Sequence, residues 1–529
     1  MMWNPCQVGA GVIAGFSVGV AVLAASVFTV SALLPDELIE PKWYAACLVA
    51  VAGGTLLAAL CLARPGGMGF SALWHGFGAA CVVVCTAQAA LFLLQEAGMV
   101  RAYGRFTAGS FDNAAGLASC LCIGLPVGLR LLRRGRRWQR VVLAACKAVS
   151  VAAIVASGSR TGLLCAALCL CMALPSGRRF RALCCSGVVA LGLALALCVK
   201  TGSSRGRWFI AMCTVELIGR RPLLGHGPGG FEAHYMDVQA DWLSRHEGCP
   251  EAMLAGDVRH PLNEWLLVAT DYGAVGVLAV MSLAAFAVAY ARRHSSAESR
   301  DALRIMACAG VFSLFSYPLL YPFTWLMLAA SIAAVFRGAL SRNWRALSVG
   351  ILVVSPVCFC LAVSRVSLAM ELRRVQDKAM LGLSERMMAH YARLNPKLRG
   401  DSRFLYNYAA EQYEAGRYAS ALQTVRECGR LLASYDLCLL KGDIHRALGD
   451  RRAAMRCYRR AHWMVPLRFV PIYEMYNVAE ERGDTVATAA LAHEILAKPV
   501  KVPSRETLEM IEDVRRREAA RVGVKPNGG

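Results

Sequence analysis

About eleven apolar runs of roughly 20 residues each constrain this chain more than any other feature, because each is long enough as a helix to cross about 30 Å of hydrocarbon. They fall at 8–34, 43–63, 70–95, 113–133, 139–157, 161–175, 180–199, 262–291, 302–318, 322–338 and 345–365. At 57% hydrophobic residues over 529 positions and a mean hydropathy of +0.44, the chain is too apolar for a soluble protein of its size. The first run has no Lys or Arg before it and no clear cleavage site, so it is expected to be a retained helix and not a removed signal peptide.

A formal net charge of +22 would suit nucleic acid, but its distribution argues against that partner. Six arginines lie between Arg130 and Arg140, with more at Arg178–Arg181, Arg292–Arg304 and Arg337–Arg345. These clusters occupy alternate loops, as the positive-inside rule requires of cytoplasmic segments. The N-terminus is then cytoplasmic, while residues 200–261 and everything beyond the last run face the other side. Most of the 22 cysteines lie inside apolar runs, where a thiol acts as a small hydrophobe, and no paired Cys-x-x-Cys motif suggests zinc. Cys428, Cys438 and Cys457 are expected to face an oxidising compartment.

Beyond Ser367 the apolar runs stop. Residues 367–397 read as a helical connector, 398–500 as repeats, and 501–529 as a helix with a frayed end at 523–529. Counted from Tyr435, the residues Gly442, Gly449, Ala454, Tyr458, Ala461 and Pro466 fall where a tetratricopeptide unit of about 34 residues places its small, aromatic and proline positions. Gly416, Gly449 and Gly483 repeat the spacing, with weaker copies on either side. Such a stack offers a concave surface that could recruit a protein partner. The expected fold is therefore all-α: a polytopic transmembrane helical bundle (1–366) with a periplasmic loop and a C-terminal tetratricopeptide-like α-solenoid.

Three motifs on the outer side carry candidate chemistry. Gly158-Ser159-Arg160-Thr161-Gly162 joins two runs, and Arg160 starts a helix, whose N-terminus favours an anion. Arginines at helix ends also snorkel, so this motif is weak by itself. Ser204-Arg205-Gly206-Arg207-Trp208 opens an amphipathic stretch that leads to Arg220-Arg221-Pro222-Leu223-Leu224 and Gly225-His226-Gly227-Pro228-Gly229-Gly230-Phe231. The last of these contains Gly-x-Gly-x-x-Gly, but no strand of a βαβ unit precedes it, so a dinucleotide fold is excluded. The third motif is His260-Pro261-Leu262-Asn263, followed by Asp271-Tyr272-Gly273-Ala274-Val275-Gly276. Imidazole titrates near neutrality and suits a proton acceptor.

In order and spacing these motifs, with Phe111-Asp112-Asn113-Ala114-Ala115, resemble the O-antigen ligase and O-antigen polymerase superfamily over about residues 100–340. The resemblance implies a bacterial inner-membrane glycosyltransferase with a periplasmic site, no cofactor and no metal, that takes a glycan from an undecaprenyl diphosphate carrier. It sets the essential groups at Arg160, Arg207 and His260. Arg205, Arg221, Gly227, Gly229, Asn113 and Asn263, in the same motifs, are expected to bind substrate. The family pattern has His-Asn where this chain has His260-Pro261-Leu262-Asn263, so His226, His234 and His246 remain alternatives for the base. The acceptor is lipid A–core, a growing glycan or a protein hydroxyl. A lipid-linked glycan flippase or transporter is the competing class, and Lys147, in the middle of the run 139–157, is its main support.

Overall fold

The computed structural model describes residues 5–63, 69–104, 107–129, 132, 135–173, 177, 179–180, 183–188, 190, 202–501 and 503–522, and among these there is no strand. Most of the run 180–199 and the end at 523–529 lie outside the described residues. The chain divides into two units: Met1–Cys198, Leu262–Trp265 and Leu278–Arg374 form the first, and Val199–Pro261, Leu266–Val277 and Val375–Gly529 the second.

The first unit holds helices α1 (Pro5–Phe28), α2 (Glu40–Ala63), α3 (Phe70–Glu96), α4 (Ala114–Gly124), α5 (Arg137–Ala156) and α6 (Arg160–Ala173). Two helices of the second unit follow, α7 (Gly202–Arg220) and α8 (Gly230–Arg245). The chain then continues as α9 (Glu264–Arg293), α10 (Ala297–Ser313), α11 (Pro322–Val335), α12 (Arg337–Arg342) and α13 (Trp344–Lys378). Six helices are long and apolar enough to cross a membrane: α1, α2, α3, α5, α9 and α13. Other expected spans coincide with shorter helices. In the run 113–133 the helix α4 stops after 11 residues, because Pro126 cannot continue it and Gly128 turns left-handed at φ +77°. The last expected span and the connector merge, since α13 runs on for 35 residues before Gly382, at φ +80°, breaks the axis ahead of α14 (Ser384–Leu398).

Within this unit the inter-helix turns gather at two ends. At one, Ser110 Oγ donates to the Val27 carbonyl at 2.6 Å, Trp43 Nε1 to Leu320 O at 2.9 Å, and Arg373 meets Glu37 at 3.3 Å. At the other, Ser71 Oγ donates to Glu298 at 2.8 Å and Arg337 pairs with the same carboxylate at 3.3 Å. The core between them is built from small and thiol side chains such as Ala80, Cys85, Ala118, Cys122 and Cys165, with Phe111, Phe312 and Phe323. Small residues let helix axes approach closely, which is how helices pack where the surroundings are themselves apolar.

The second unit adds three helical hairpins: α15 (Ser402–Glu414) with α16 (Tyr418–Cys428), α17 (Tyr435–Ala447) with α18 (Arg451–Met464), and α19 (Val470–Glu481) with α20 (Thr485–Ala497), followed by α21 (Arg505–Val522). Each hairpin turn places a glycine at positive φ, Gly416 at +70°, Gly449 at +80° and Gly483 at +68°. In two of them the next residue caps the second helix: Asp450 accepts from Ala453 N at 2.9 Å and Asp484 from Ala487 N at 3.0 Å. The glycine ends one helix and the aspartate starts the next, which explains the constant spacing. Gly442 lies so close to the Tyr458 ring that a Cβ there would come within 2.4 Å of it.

Of residues 200–261, expected as a loop of the membrane domain, the described part, 202–261, is mostly helical and groups with the C-terminal hairpins. Phe209, Cys213 and Leu217 of α7 and Phe231, Tyr235 and Val238 of α8 form an apolar face that shares a core with Tyr435, Ala461 and Met464. Gln239 seals the contact, donating to the Met464 carbonyl at 2.7 Å and to Gly256 O at 3.0 Å.

His462 in α18 gives the second unit a pH dependence. Burial first, then the charge of Lys498, pushes its imidazole down to about 4. The unfolded chain therefore binds a proton that the folded unit refuses. The stability at issue is complete above the unfolded value of about 6.5 and is lost as pH falls toward 4, by about 3 kcal/mol in total. Thermal melts of the full chain from pH 7 to pH 4 should show a steeper loss for the wild type than for His462→Phe. Parallel curves would contradict this assignment.

Candidate functional site

Two neighbourhoods collect the candidate residues, one in each unit. In the first, Gly124, which ends α4, has its carbonyl bonded by Lys147 Nζ of α5 at 3.0 Å, and Gly128 approaches Leu143. Helix α4 therefore runs antiparallel to α5, and the three-residue turn 157–159 reverses the chain again into α6. Helices α4 and α6 are thus parallel, with Ala118 and Ile154 both against Gly162. Their N-termini open at the same end of the unit. Lys147, the residue that most favoured transport, is accounted for by its bond to the last carbonyl of α4, where a cation complements the helix dipole.

Asn113 caps α4, accepting from Gly116 N at 2.8 Å, a contact worth about 1 kcal/mol. Its amide donates to Asp112 at 2.7 Å, to Tyr317 OH at 3.0 Å and to Tyr321 OH at 3.3 Å. Tyr321 OH in turn donates to Asp112 at 2.7 Å. Asn263 donates to Leu314 O at 2.8 Å, and Glu264 accepts from Leu319 N at 2.9 Å. Asn113 and Asn263, far apart in sequence, therefore both hold the 314–321 segment. Arg160 opens α6, exposed at the end toward which both N-termini point. Lys42 is buried nearby in the chain's second helix, donating to Thr29 O at 3.2 Å and Leu38 O at 2.5 Å.

The second neighbourhood explains the glycine-rich motif. The amides of His226 and Gly227 donate to the carbonyls of Thr270 and Asp271, both at 2.9 Å. In return, Ala274 N and Val275 N donate to Pro222 O at 2.8 Å and Leu223 O at 3.2 Å. This exchange is possible because α9 breaks at Gly273, where φ is +63° and ψ −162°. A side chain at Gly273 would come within 2.3 Å of the Leu223 carbonyl. The Asp271 carboxylate then fills the cradle that a phosphate would take in a nucleotide loop. It accepts from Gly229 N at 3.1 Å and Phe231 N at 3.2 Å, at the start of α8. The Gly227 and Gly229 amides, expected to bind substrate, are thus engaged by the chain itself. Two motifs that look separate in sequence form one interlocked element.

Beside this element is a cleft of about 490 Å³. His226 lies in it with Nε2 at 3.0 Å from the Leu217 carbonyl; a carbonyl only accepts, so Nε2 donates. The His234 ring is 5.1 Å away. Partial desolvation, then the neighbouring His226 and the arginines 220 and 221, hold the His234 imidazole below its ordinary range against the pull of Asp237. It is neutral at pH 7.

The remaining candidates of this unit lie on its helices and loops. Arg205 and Arg207 are exposed on the first turns of α7, and Arg221 follows its end at the cleft. His246 stacks on Trp242 at 4.2 Å and donates through Nδ1 to the Trp242 carbonyl at 2.8 Å, away from the cleft residues. His260 is half-buried and within electrostatic reach of Glu232, whose carboxyl is pushed up by burial while Arg259, Arg403 and His260 draw it down. Just beyond, Leu262 adopts φ +57°, a left-handed conformation that a leucine takes only under constraint, at about 1 kcal/mol or more.

Sequence reasoning missed Asp112, Tyr317, Tyr321, Glu232, Asp237, Asp241, Asp271 and Arg460. Two had a local signal: Asp112 beside Asn113, and Asp271 before a Tyr-Gly-Ala-Val-Gly break. Among the described residues no group of histidine, cysteine, aspartate and glutamate side chains could hold a metal ion. Comparison of the chain with protein-family models and with curated proteins returns no match.

Proposed function

We propose that the chain is a membrane glycosyltransferase that moves a glycan from an undecaprenyl diphosphate carrier to an acceptor hydroxyl, in the manner of the O-antigen ligase superfamily it resembles. The observation that carries this reading is the end of the first unit where α4 and α6 present parallel N-termini, one beginning with Arg160 and the other capped by Asn113. Helix N-termini and a guanidinium all favour an anion, and a diphosphate is the anion a lipid-linked donor brings.

Eleven spans in the bacterial inner membrane, with a cytoplasmic N-terminus, fit the alternating course of the helices. The described arginines 136, 137, 292, 293, 337 and 345 flank turns at the end opposite Arg160, consistent with a cytoplasmic assignment for that end. Residues 202–261 and the C-terminal hairpins pack into one unit, so both lie on a single side, which we assign to the periplasm. The hairpins are tetratricopeptide-like in their glycine spacing and in the packing of Gly442 against Tyr458.

In the reaction the acceptor oxygen attacks the anomeric carbon, the bond from that carbon to the phosphate oxygen breaks, and its electron pair leaves with the diphosphate. As the resemblance implies, the guanidinium groups of Arg160 in the first unit and Arg207 in the second are assigned to the growing charge, and the hydroxyl proton passes to an imidazole. We assign that role to His260, which lies within electrostatic reach of Glu232, whereas His226 is tied into the interlocked loop. A reconstituted assay with lipid-linked glycan and, in turn, lipid A–core, glycan and protein acceptors tests the reading. His260→Ala is expected to slow transfer by about 100-fold or more and His226→Ala by less. Full transfer by His260→Ala would remove His260 as the base.

A further inference from the structure

The cleft of the second unit is walled by two parts of the chain that lie more than 200 residues apart. His234, Asp237 and Asp241 recur at helical spacing on one face of α8, Arg220 ends α7 and Arg221 follows it, and Arg460 reaches in from α18 of the second hairpin. Arg460 is fixed by three bonds: Nε to Asp237 Oδ1 at 2.8 Å, Nη1 to Asp241 Oδ1 at 2.5 Å and Nη2 to the Asp237 carbonyl at 2.9 Å. Arg220 holds the other oxygen of Asp241 at 3.2 Å. Burial works to raise the Asp241 carboxyl, but the bonds from Arg460 and Arg220 hold it below its usual range. The lattice is charged and pre-organised at neutral pH.

Groups beside this lattice have no hydrogen bond or ion pair within the described residues: the Arg221 guanidinium, the His234 ring nitrogens and the second oxygen of Asp237. They supply, in order, a cationic donor, a neutral donor and acceptor, and an anionic acceptor. A ligand that satisfies all three carries hydroxyls together with one negative group. The volume of about 490 Å³ falls within the range of about 300–1,000 Å³ usual for small-molecule sites. Three arginines face two aspartates, so the surplus is positive and favours the negative group near Arg221.

We infer that this cleft binds an acidic saccharide, a sugar unit bearing a carboxylate or a phosphate, as part of the glycan handled in the proposed transfer reaction, on which reading the inference rests. The C-terminal hairpins then contribute directly to substrate recognition through Arg460, besides anchoring the residues 202–261.

The test uses the full chain in nanodiscs and three probes: a glucuronate-containing tetrasaccharide, glucose 1-phosphate and neutral maltotetraose. The wild type is expected to bind at least one acidic probe with a Kd of ~1 mM or tighter, and maltotetraose at least about tenfold more weakly. Uronate binding and phosphate binding distinguish the two sources of the charge. Arg221 is exposed and makes no ion pair among the described residues, so Arg221→Ala should keep its melting temperature while losing about tenfold or more in affinity, with partial recovery in Arg221→Lys. Unchanged binding by Arg221→Ala, equal binding of the neutral probe, or no binding of either acidic probe would overturn the inference. A wild type that binds an acidic probe yet transfers no glycan leaves the cleft standing and removes the proposed function. A wild type that transfers glycan while Arg221→Ala binds unchanged removes the cleft alone.

Discussion

An Arg160→Ala protein that inserts and folds normally is expected to transfer glycan about 100-fold or more slowly than the wild type. Arg160 is the first residue of α6, and the parallel helix α4 begins at the same end, so two partial positive charges reinforce one full charge. The substitution leaves both helix termini in place and removes only the guanidinium. The loss should fall on kcat more than on KM, because charge accumulates on the diphosphate oxygen as the sugar bond breaks. Arg160→Lys should recover only part of the rate, since an ammonium cannot offer the planar pair of donors that a phosphate accepts. Size-exclusion profiles and melting temperatures matching the wild type would establish that folding is intact. Full activity in such a protein would remove Arg160 from the site.

Asp271→Ala is expected to destabilise the second unit by about 3 kcal/mol or more and to lower its melting temperature by about 6–12 °C. The Asp271 carboxylate accepts from the amides of Gly229 and Phe231, and Phe231 is fully buried. Removing it orphans the amide of buried Phe231 in the first turn of α8, at about 1–3 kcal/mol, and breaks the bond from exposed Gly229, at about 1 kcal/mol. Asp271→Asn keeps an acceptor oxygen and should fall between the two. Because the same loop positions His226 and Arg221, transfer should decline together with stability. An Asp271→Ala protein that melts with the wild type would contradict the interlocked loop.

The apolar runs were legible because a period of 3.6 residues and a length near 20 are written locally, and six of them return as helices of spanning length. The helix starts at Asn113 and Arg160 were legible too, since a cap and a glycine turn are events of four or five residues. Helix ends were less so. Proline-terminated segments such as 114–124 stop where the backbone loses a donor, even though hydropathy continues past them.

The pairing of Pro222–Phe231 with Asp271–Gly276 was not legible, because it consists of backbone hydrogen bonds between segments whose side chains give no sign of each other. Nor was the packing of α8 on α18. The Arg460–Asp237 pair joins residues 223 positions apart, and charged residues on an amphipathic helix look the same whether they face water or a partner. The glycine-rich motif therefore reads as a ligand cradle in sequence, whereas its anion is Asp271.

The central claim is that the carrier bond is broken by this chain. The most direct measurement follows purified protein in liposomes with a radiolabelled undecaprenyl diphosphate glycan and acceptor enclosed on the periplasmic-equivalent side. The predicted result is free undecaprenyl diphosphate appearing in step with labelled acceptor, and both appearing about 100-fold or more slowly with Arg160→Ala. Movement of intact lipid-linked glycan between leaflets, with no cleavage by the wild type, would contradict it and identify a flippase instead.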